Sequence, residues 1–325
     1  MMNDCRMSQP APRESSRLAI VDIARGVALL AMFVYHFAYD LSMFRLIETD
    51  IVAEPGWRLF ARGIAGTFLT IVGFSLVLAT RKGLDSTAYL KRLAMVAGAA
   101  ALVTLGTWRF MPGDLIFFGI LHHVAVASVL ALPFLRLPVV AVALAAVLAF
   151  ALPSFIAHPL LDQPWAAWLG FSQAPIHTAD FVPVFPWFGC VLSGMVLARL
   201  ILPRLAGATL AGWQPDNRAT RIVAWGGRHS LLVYLVHQPL FIGALMLATQ
   251  VIAPPPPEER AFRNDCQRSC AGPNAPEQIC RMVCACTVDG LKREKLWQKA
   301  LDNLLSPQES VRMTELAQGC LRDGR

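Results

Sequence analysis

Residues 22–40 read DIARGVALLAMFVYHFAYD, and they are the most informative segment of the chain. It lies in an apolar run, 19–42, that is long enough to cross a bilayer as a helix. Arg25 and His36 are eleven positions apart, which at about 100° per residue puts them on one helix face, about 16 Å apart along the axis. Because such residues are costly inside a membrane helix, the pair predicts a functional site.

The composition predicts an all-α polytopic membrane bundle. The chain is 55% apolar and 16% charged, whereas soluble domains carry about 25% charged residues. The apolar residues form seven blocks, each near the ~20 residues that a membrane helix needs. The predicted spans are 19–42, 57–79, 93–110, 116–135, 138–157, 182–202 and 227–252.

The loop charges predict the orientation. Twelve Lys and Arg residues fall on one side of the seven spans and three on the other, which by the positive-inside rule puts the N-terminus in the cytoplasm and the C-terminal tail outside. These loops explain the net charge of +7, and we see no basic patch interleaved with aromatic residues that would indicate nucleic-acid binding. The first group comprises Arg6, Arg13, Arg17, Arg81, Lys82, Lys91, Arg92, Arg136, Arg199, Arg204, Arg218 and Arg221, and the second comprises Arg45, Arg58 and Arg109.

Six of the eight cysteines lie in the tail, which predicts a disulfide-stapled helical segment outside the cytoplasm. Two Cys-x3-Cys pairs each share a helix face, and Gly272-Pro273-Asn274 breaks the chain between them. Two antiparallel helices would pair the outer and the inner cysteines, although six cysteines allow fifteen connectivities and a zinc site is the rival interpretation. The predicted bonds are Cys266–Cys284, Cys270–Cys280 and Cys286–Cys320, with Cys5 and Cys190 as free thiols.

Other polar residues inside the spans extend the predicted site. His122 and His123 are adjacent in span four, and only one of them can face inward because neighbours point about 100° apart. His237 lies about midway along span seven. Asp40 either caps the outer end of span one or orients His36, and Arg228 either joins the site or anchors span seven at the interface.

The order of these groups along span one favours a particular substrate shape. Arg25, near Asp22 at the predicted cytoplasmic end, suits phosphate by its charge and planar donors. His36, three turns deeper, suits proton transfer from a nucleophile. A long, thin donor with phosphates at one end and a reactive group at the other would span the gap, although proton-coupled transporters also bury His, Arg and Asp.

Several segments resemble one family of membrane enzymes. The opening DIARGVALL of span one, followed by Tyr35-His36-Phe37, is similar to the start of bacterial proteins with a heparan-α-glucosaminide N-acetyltransferase catalytic domain. The resemblance extends over about 17–250 and includes FGILHH at 118–123, FPWFG at 185–189 and the segment from 227 through His237-Gln238-Pro239. It implies acetyl-CoA as the donor on the cytoplasmic side and a carbohydrate acceptor across the membrane.

The sequence therefore predicts a bacterial inner-membrane acyltransferase with no metal. It would have a cytoplasmic tail (1–17), a transmembrane domain (18–252) and a periplasmic Cys-rich helical tail (253–325). A homo-oligomer is compatible with this interpretation. The alternatives are a proton-coupled transporter or flippase with a histidine relay, and a non-enzymatic scaffold that presents the tail. The predicted catalytic residues are His36, Asp40, His122 and His237, and the predicted donor-binding residues are Arg25, Arg228 and Asp22.

Overall fold

The computed structural model describes residues 18–47, 49–156, 158–174, 176, 178–205, 213–252, 256–270 and 276–323. Within these ranges the chain is helical, and the only β pairing is an isolated bridge between Phe118 and Phe181. The all-α prediction is therefore confirmed; Cys5 and the cytoplasmic tail predicted at 1–17 lie outside the described residues. The helices are α1 Ala19–Met43, α2 Pro55–Thr80, α3 Ser86–Phe110, α4 Ile120–Leu130, α5 Val139–Ala151, α6 Val184–Leu205, α7 Arg218–Arg228, α8 Ser230–Ala248, α9 Pro257–Cys270, α10 Glu277–Arg293, α11 Trp297–Leu301 and α12 Pro307–Asp323.

Five of the seven predicted spans are helices long and apolar enough to cross a membrane: α1, α2, α3, α6 and α8. The other two, α4 and α5, are shorter apolar helices. The seventh prediction, 227–252, differs at its start: α7 ends at Arg228, and α8 begins at Ser230 after a non-helical His229. Gly226 and Gly227 lie just before this break and Ser230 just after it, and all three are weak helix formers.

The described chain divides into two compact units. The first contains residues up to Tyr39 together with Ile51–Gly243, and the second contains Asp40–Asp50 together with the chain from Ala244 onward. The first unit therefore holds most of the apolar helices, and the second holds the Cys-rich tail.

The core of the first unit lies between α2 and α6. A Cβ atom added at Gly73 would lie 1.9 Å from the carbonyl oxygen of Val191, and one added at Gly194 would lie 1.9 Å from that of Thr70. The two backbones thus touch in both directions, which requires small residues at these positions and is typical of packed membrane helices. Leu69 on α2 and Val191 on α6 are fully buried beside these contacts.

The second unit is held together by three disulfides: Cys266–Cys284, Cys270–Cys280 and Cys286–Cys320. Two of them join α9 to α10 and the third joins α10 to α12, with Cα–Cα distances of 5.9, 5.7 and 5.9 Å in the same order. The connectivity is the one that the spacing predicts. Cys190 is free, as predicted.

A buried carboxylate also links α9 to α10. Glu259 accepts a hydrogen bond from Arg263 at 2.7 Å on its own helix and another from Lys292 on α10. Burial by itself raises the pKa of Glu259, but the contacts with Lys292 and Arg263 outweigh it, and the net pKa lies below the ordinary value. The ion pairs therefore stabilise the charged form of this side chain.

Candidate active site

Two histidines of the first unit meet between α1 and α8. The ring centroids of His36 and His237 are 5.1 Å apart, with the rings inclined by 64°. Phe33, one turn before His36, stacks on His237 at 5.4 Å. Phe241, one turn after His237, contacts that ring edge-on at 5.9 Å and Phe33 at 5.8 Å. The structure thus brings together two of the four predicted catalytic residues, in contact with aromatic rings.

The hydrogen bonds of His237 define which ring nitrogen can act as a base. Its Nδ1 lies 2.5 Å from the carbonyl oxygen of Tyr234. Because a carbonyl only accepts, Nδ1 carries the proton and the lone pair of the neutral ring lies on Nε2. Nε2 is buried, and no group in the described residues forms a hydrogen bond with it. His237 therefore has a fixed tautomer, with a basic nitrogen that no described group occupies.

His36 is the more accessible member of the pair. Its side chain is partly exposed, whereas His237 is buried. Tyr35 contacts the His36 ring edge-on at 5.7 Å and contacts Trp57 of α2 at 6.2 Å. Among the described residues, neither nitrogen of His36 has a hydrogen-bond partner, so both are open to a substrate.

Asp180 adds a carboxylate that the sequence analysis does not single out. It lies in the loop before α6, and it interacts electrostatically with Tyr35 on α1 and Tyr234 on α8, the neighbours of the two histidines. Its Oδ2 accepts the backbone N–H of Ile120 at the start of α4, at 2.8 Å. Loss of hydration raises the pKa of Asp180 to about 6, and the hydrogen bond from Ile120 opposes that shift.

The loop that carries Asp180 is held in place by α4 and the residues before it. Val182 N–H donates to the carbonyl of Phe118 at 3.1 Å. A Cβ atom at Gly119 would lie 2.3 Å from Oδ2 of Asp180, so a side chain there would displace this carboxylate. His123 is fully buried, and its Nδ1 lies 3.2 and 3.1 Å from the carbonyl oxygens of Val182 and Pro183, which it can bond only as donor. His123 therefore positions the Asp180 loop.

The structure does not bring His122 to the histidine pair. Its Nε2 lies 3.0 Å from Oγ1 of Thr104 on α3, and its Nδ1 accepts the N–H of Gly119 at 3.2 Å. Its ring contacts Phe118 at 5.9 Å. These contacts join α3 to the start of α4. Among the described residues, His122 contacts no other ring and no other hydrogen-bonding group. A catalytic role for His122 stays a prediction without a contact that supports it.

A second polar cluster surrounds Asp22 near the start of α1. Asp22 is buried and lies 3.3 Å from the guanidinium of Arg25 and 3.6 Å from that of Arg228 on α7. Arg25 also donates to the hydroxyl of Ser75 on α2. One carboxylate thus lies between two arginines. Arg228 is half exposed and is the arginine of this pair that a soluble ligand can reach.

Reciprocal glycine contacts hold α7 against α1 at this cluster. A Cβ atom at Gly26 would lie 2.1 Å from the carbonyl oxygen of Val223, and one at Gly227 would lie 1.7 Å from that of Asp22. The backbones therefore touch, and this close packing brings Arg228 to Asp22. All three predicted donor-binding residues lie together, and Arg25 among them is about 16 Å along α1 from His36.

Asp40, the remaining predicted catalytic residue, lies one turn beyond His36 on α1 and belongs to the second unit. It is fully buried. Its assignment to the site stays a prediction.

The fold and the site define a polytopic α-helical membrane protein with a histidine pair between two of its apolar helices. Comparison with protein-family models matches residues 17–239 to the catalytic domain of heparan-alpha-glucosaminide N-acetyltransferase. The chain belongs to this family, as the resemblance in the sequence predicts. Searches of the curated proteins and of the solved structures found no match. Membership implies a membrane acetyltransferase.

Proposed function

We propose that the protein transfers an acetyl group from acetyl-CoA to an amine or hydroxyl group of a carbohydrate on the other side of the membrane. The observation that carries this proposal is the pair His36 and His237, whose partly exposed and buried rings meet between α1 and α8. The donor would enter at the Asp22 cluster, on the cytoplasmic side by the loop charges. The acceptor would then be periplasmic, in a bacterial inner membrane.

The histidine pair would supply the base for the transfer. The amine nitrogen or hydroxyl oxygen of the acceptor attacks the thioester carbonyl, and a basic nitrogen of the histidine pair takes the proton that this group loses. The new C–N or C–O bond forms, the C–S bond breaks, and the leaving thiolate takes the proton from the imidazolium. The fixed tautomer of His237 suits it to hold this proton, and the open ring of His36 suits it to contact the substrates.

Asp180 and the two tyrosines would stabilise that imidazolium. The carboxylate acts electrostatically on Tyr35 and Tyr234, which adjoin His36 and His237 in space. An ionised carboxylate lowers the cost of a positive ring nearby, as opposite charges favour each other's charged form. Asp180 is therefore proposed as a positioning residue that acts through the histidine pair.

The donor end would be held by Arg228 more than by Arg25. Arg25 is largely buried and engaged with Asp22 and Ser75, whereas Arg228 is half exposed and lies farther from the shared carboxylate. A guanidinium that is accessible and only partly neutralised can take a phosphate with two parallel hydrogen bonds. The residues at this end therefore fit a phosphate-bearing donor such as acetyl-CoA.

The assay that tests the proposal uses the purified full-length protein, labelled acetyl-CoA and glucosamine as the acceptor probe. We expect acetyl transfer with equal release of thiol, and His237→Ala should lower the rate by about 10²- to 10⁴-fold. His158→Ala is the matched control, because His158 is an exposed loop histidine whose one hydrogen bond in the described part of the chain is from the N–H of Leu160.

Two outcomes contradict the proposal. Full activity in both His36→Ala and His237→Ala would remove the pair from the chemistry. Proton-driven uptake into proteoliposomes without thiol release would instead identify a transporter. Mass spectrometry after incubation with acetyl-CoA alone separates direct transfer from a covalent route, because only the covalent route leaves acetyl on His36 or His237.

A further inference from the structure

The outer face of α7 combines basic and apolar side chains that the proposed chemistry does not use. Ile222 and Trp225 are 63% and 54% exposed, and the ring of Trp225 lies 4.7 Å from that of His229. Arg218 and Arg221 are also exposed, and in the described residues neither has an ion-pair or hydrogen-bond partner. Helical spacing puts the four of these residues that lie on α7 on the side opposite Val223, Ala224 and Gly227, which pack inward. His229, just beyond the helix, extends this side through its contact with Trp225.

Two contacts place α7 at the edge of the membrane. Its inner face touches residues 22–26, the first two turns of the apolar helix α1. Its last residue, Arg228, is separated by His229 alone from the apolar helix α8. A helix tied to the beginnings of two spans lies at the level of the lipid headgroups, and its outer face is turned to lipid or to the adjoining water.

The chemistry of this face matches one kind of lipid. Trp is enriched at membrane interfaces, where its ring lies among the headgroups. Basic residues at that depth are attracted to anionic phospholipids. Asp216 is the one acidic residue in 213–229, and it precedes α7, so the helix itself carries no negative side chain.

We propose that the outer face of α7, formed by Arg218, Arg221, Ile222, Trp225 and His229, binds the headgroups of anionic phospholipids. The two arginines pair with the lipid phosphates, and Trp225 and Ile222 insert beside them at the interface. The proposal does not depend on acetyl transfer, since none of these side chains belongs to the histidine pair or to the Asp22 cluster.

Quenching of Trp225 by brominated lipid tests the proposal. The full-length protein is placed in phosphatidylcholine nanodiscs that contain a minor fraction of brominated phosphatidylglycerol or of brominated phosphatidylcholine. The Trp225 signal is the difference between each protein and the same protein with Trp225→Phe. We expect stronger quenching by the brominated anionic lipid, and in Arg218→Gln/Arg221→Gln we expect its apparent affinity to fall by roughly tenfold or more.

The matched control is Arg58→Gln/Arg62→Gln, which removes the same charge from exposed positions of α2 and should leave the lipid preference unchanged. Equal quenching by the two brominated lipids in the unmodified protein would overturn the proposal. So would loss of the preference on adding soluble glycerol phosphate at the same concentration, because that result would identify a site for free phosphate. Retention of the preference in the α7 variant would also overturn it.

Discussion

His36 and His237 come from opposite ends of the family-matched region, yet their ring centroids lie 5.1 Å apart. The first is partly exposed, and the second is buried with its Nδ1–H committed to the carbonyl of Tyr234. We infer that a ring held in one tautomer, so close to a more accessible ring, serves the same proton transfer. The two histidines should therefore act as one unit.

A double-mutant cycle on the pair follows from this arrangement. His36→Ala and His237→Ala should each lower kcat for acetyl transfer by about 10²- to 10⁴-fold. The double variant should be little slower than the slower single variant, because residues that act as a unit show non-additive losses. Initial rates with labelled acetyl-CoA measure all three. Losses that multiply would show that the histidines act independently.

Asp180→Asn should change the pH dependence of the reaction. The pKa of Asp180 is raised to about 6, so the carboxylate that supports the imidazolium is lost as pH falls through 6. In the unmodified protein we expect kcat/KM to decrease below that pH, and in the Asn variant this decrease should be absent with a lower plateau at neutral pH. The Asn side-chain oxygen still accepts the N–H of Ile120, so the loop should keep its position. An unchanged profile would contradict the assigned role.

The raised pKa of Asp180 also makes the stability of the folded protein depend on pH. The direction of this dependence is opposite to that of an ordinary ion-paired carboxylate. The folded pKa lies above the ordinary value of 3.8, so the native state holds more protons than the unfolded chain between about pH 4 and 6. Stability due to this group therefore decreases as pH rises through that window. Asp180→Asn should remove this part of the pH dependence of the melting temperature.

Gly227→Ala should separate α7 from α1, whereas Gly226→Ala should not. The added methyl group at Gly227 would lie 1.7 Å from the carbonyl oxygen of Asp22, while nothing lies within 4 Å of the position at Gly226. We expect a loss of about 1–3 kcal/mol for the first variant, the usual cost of overpacking. The shift of the melting temperature by saturating acetyl-CoA should fall with it, because Arg228 moves with α7. Equal behaviour of the neighbouring variants would refute the close contact.

Glu259→Gln should destabilise the second unit in a pH-dependent way. Because contacts with Lys292 and Arg263 lower the pKa of Glu259, its stabilising effect is present above the unfolded pKa and is lost as pH falls. At neutral pH we expect a loss of about 1–3 kcal/mol, since Glu259 is buried and a neutral amide weakens its charge-assisted hydrogen bonds with Arg263 and Lys292. The difference should narrow on acidification. Hydrogen exchange of the α10 amides measures it, and Glu258→Gln is an exposed neighbouring control.

Periodicity and spacing predict the parts of this molecule that depend on one helix or two. The shared face of Arg25 and His36 follows from the helical repeat, and the tail connectivity follows from two i, i+4 cysteine pairs and the break between them. These features need no knowledge of how distant helices pack.

The parts that the sequence does not predict depend on contacts between segments. Asp180 lies in an irregular loop, and its only local signal is its position just before the start of span six. His122 and His123 look equivalent in the sequence, but the first joins α3 to α4 and the second fastens the Asp180 loop. The seventh span divides at His229, next to the close packing of Gly227 on α1. The sequence of this span indicates the division only through residues that are weak helix formers.

The three disulfides also bear on the order in which the chain assembles. They join cysteines separated by 18, 10 and 34 residues, and the second is nested within the first. None uses a cysteine from the apolar helices, so thiol oxidation in the tail involves only partners that leave the ribosome within a short interval of one another. The covalent maturation of the second unit is therefore a local event, chemically separate from insertion of the helices that carry the histidine pair.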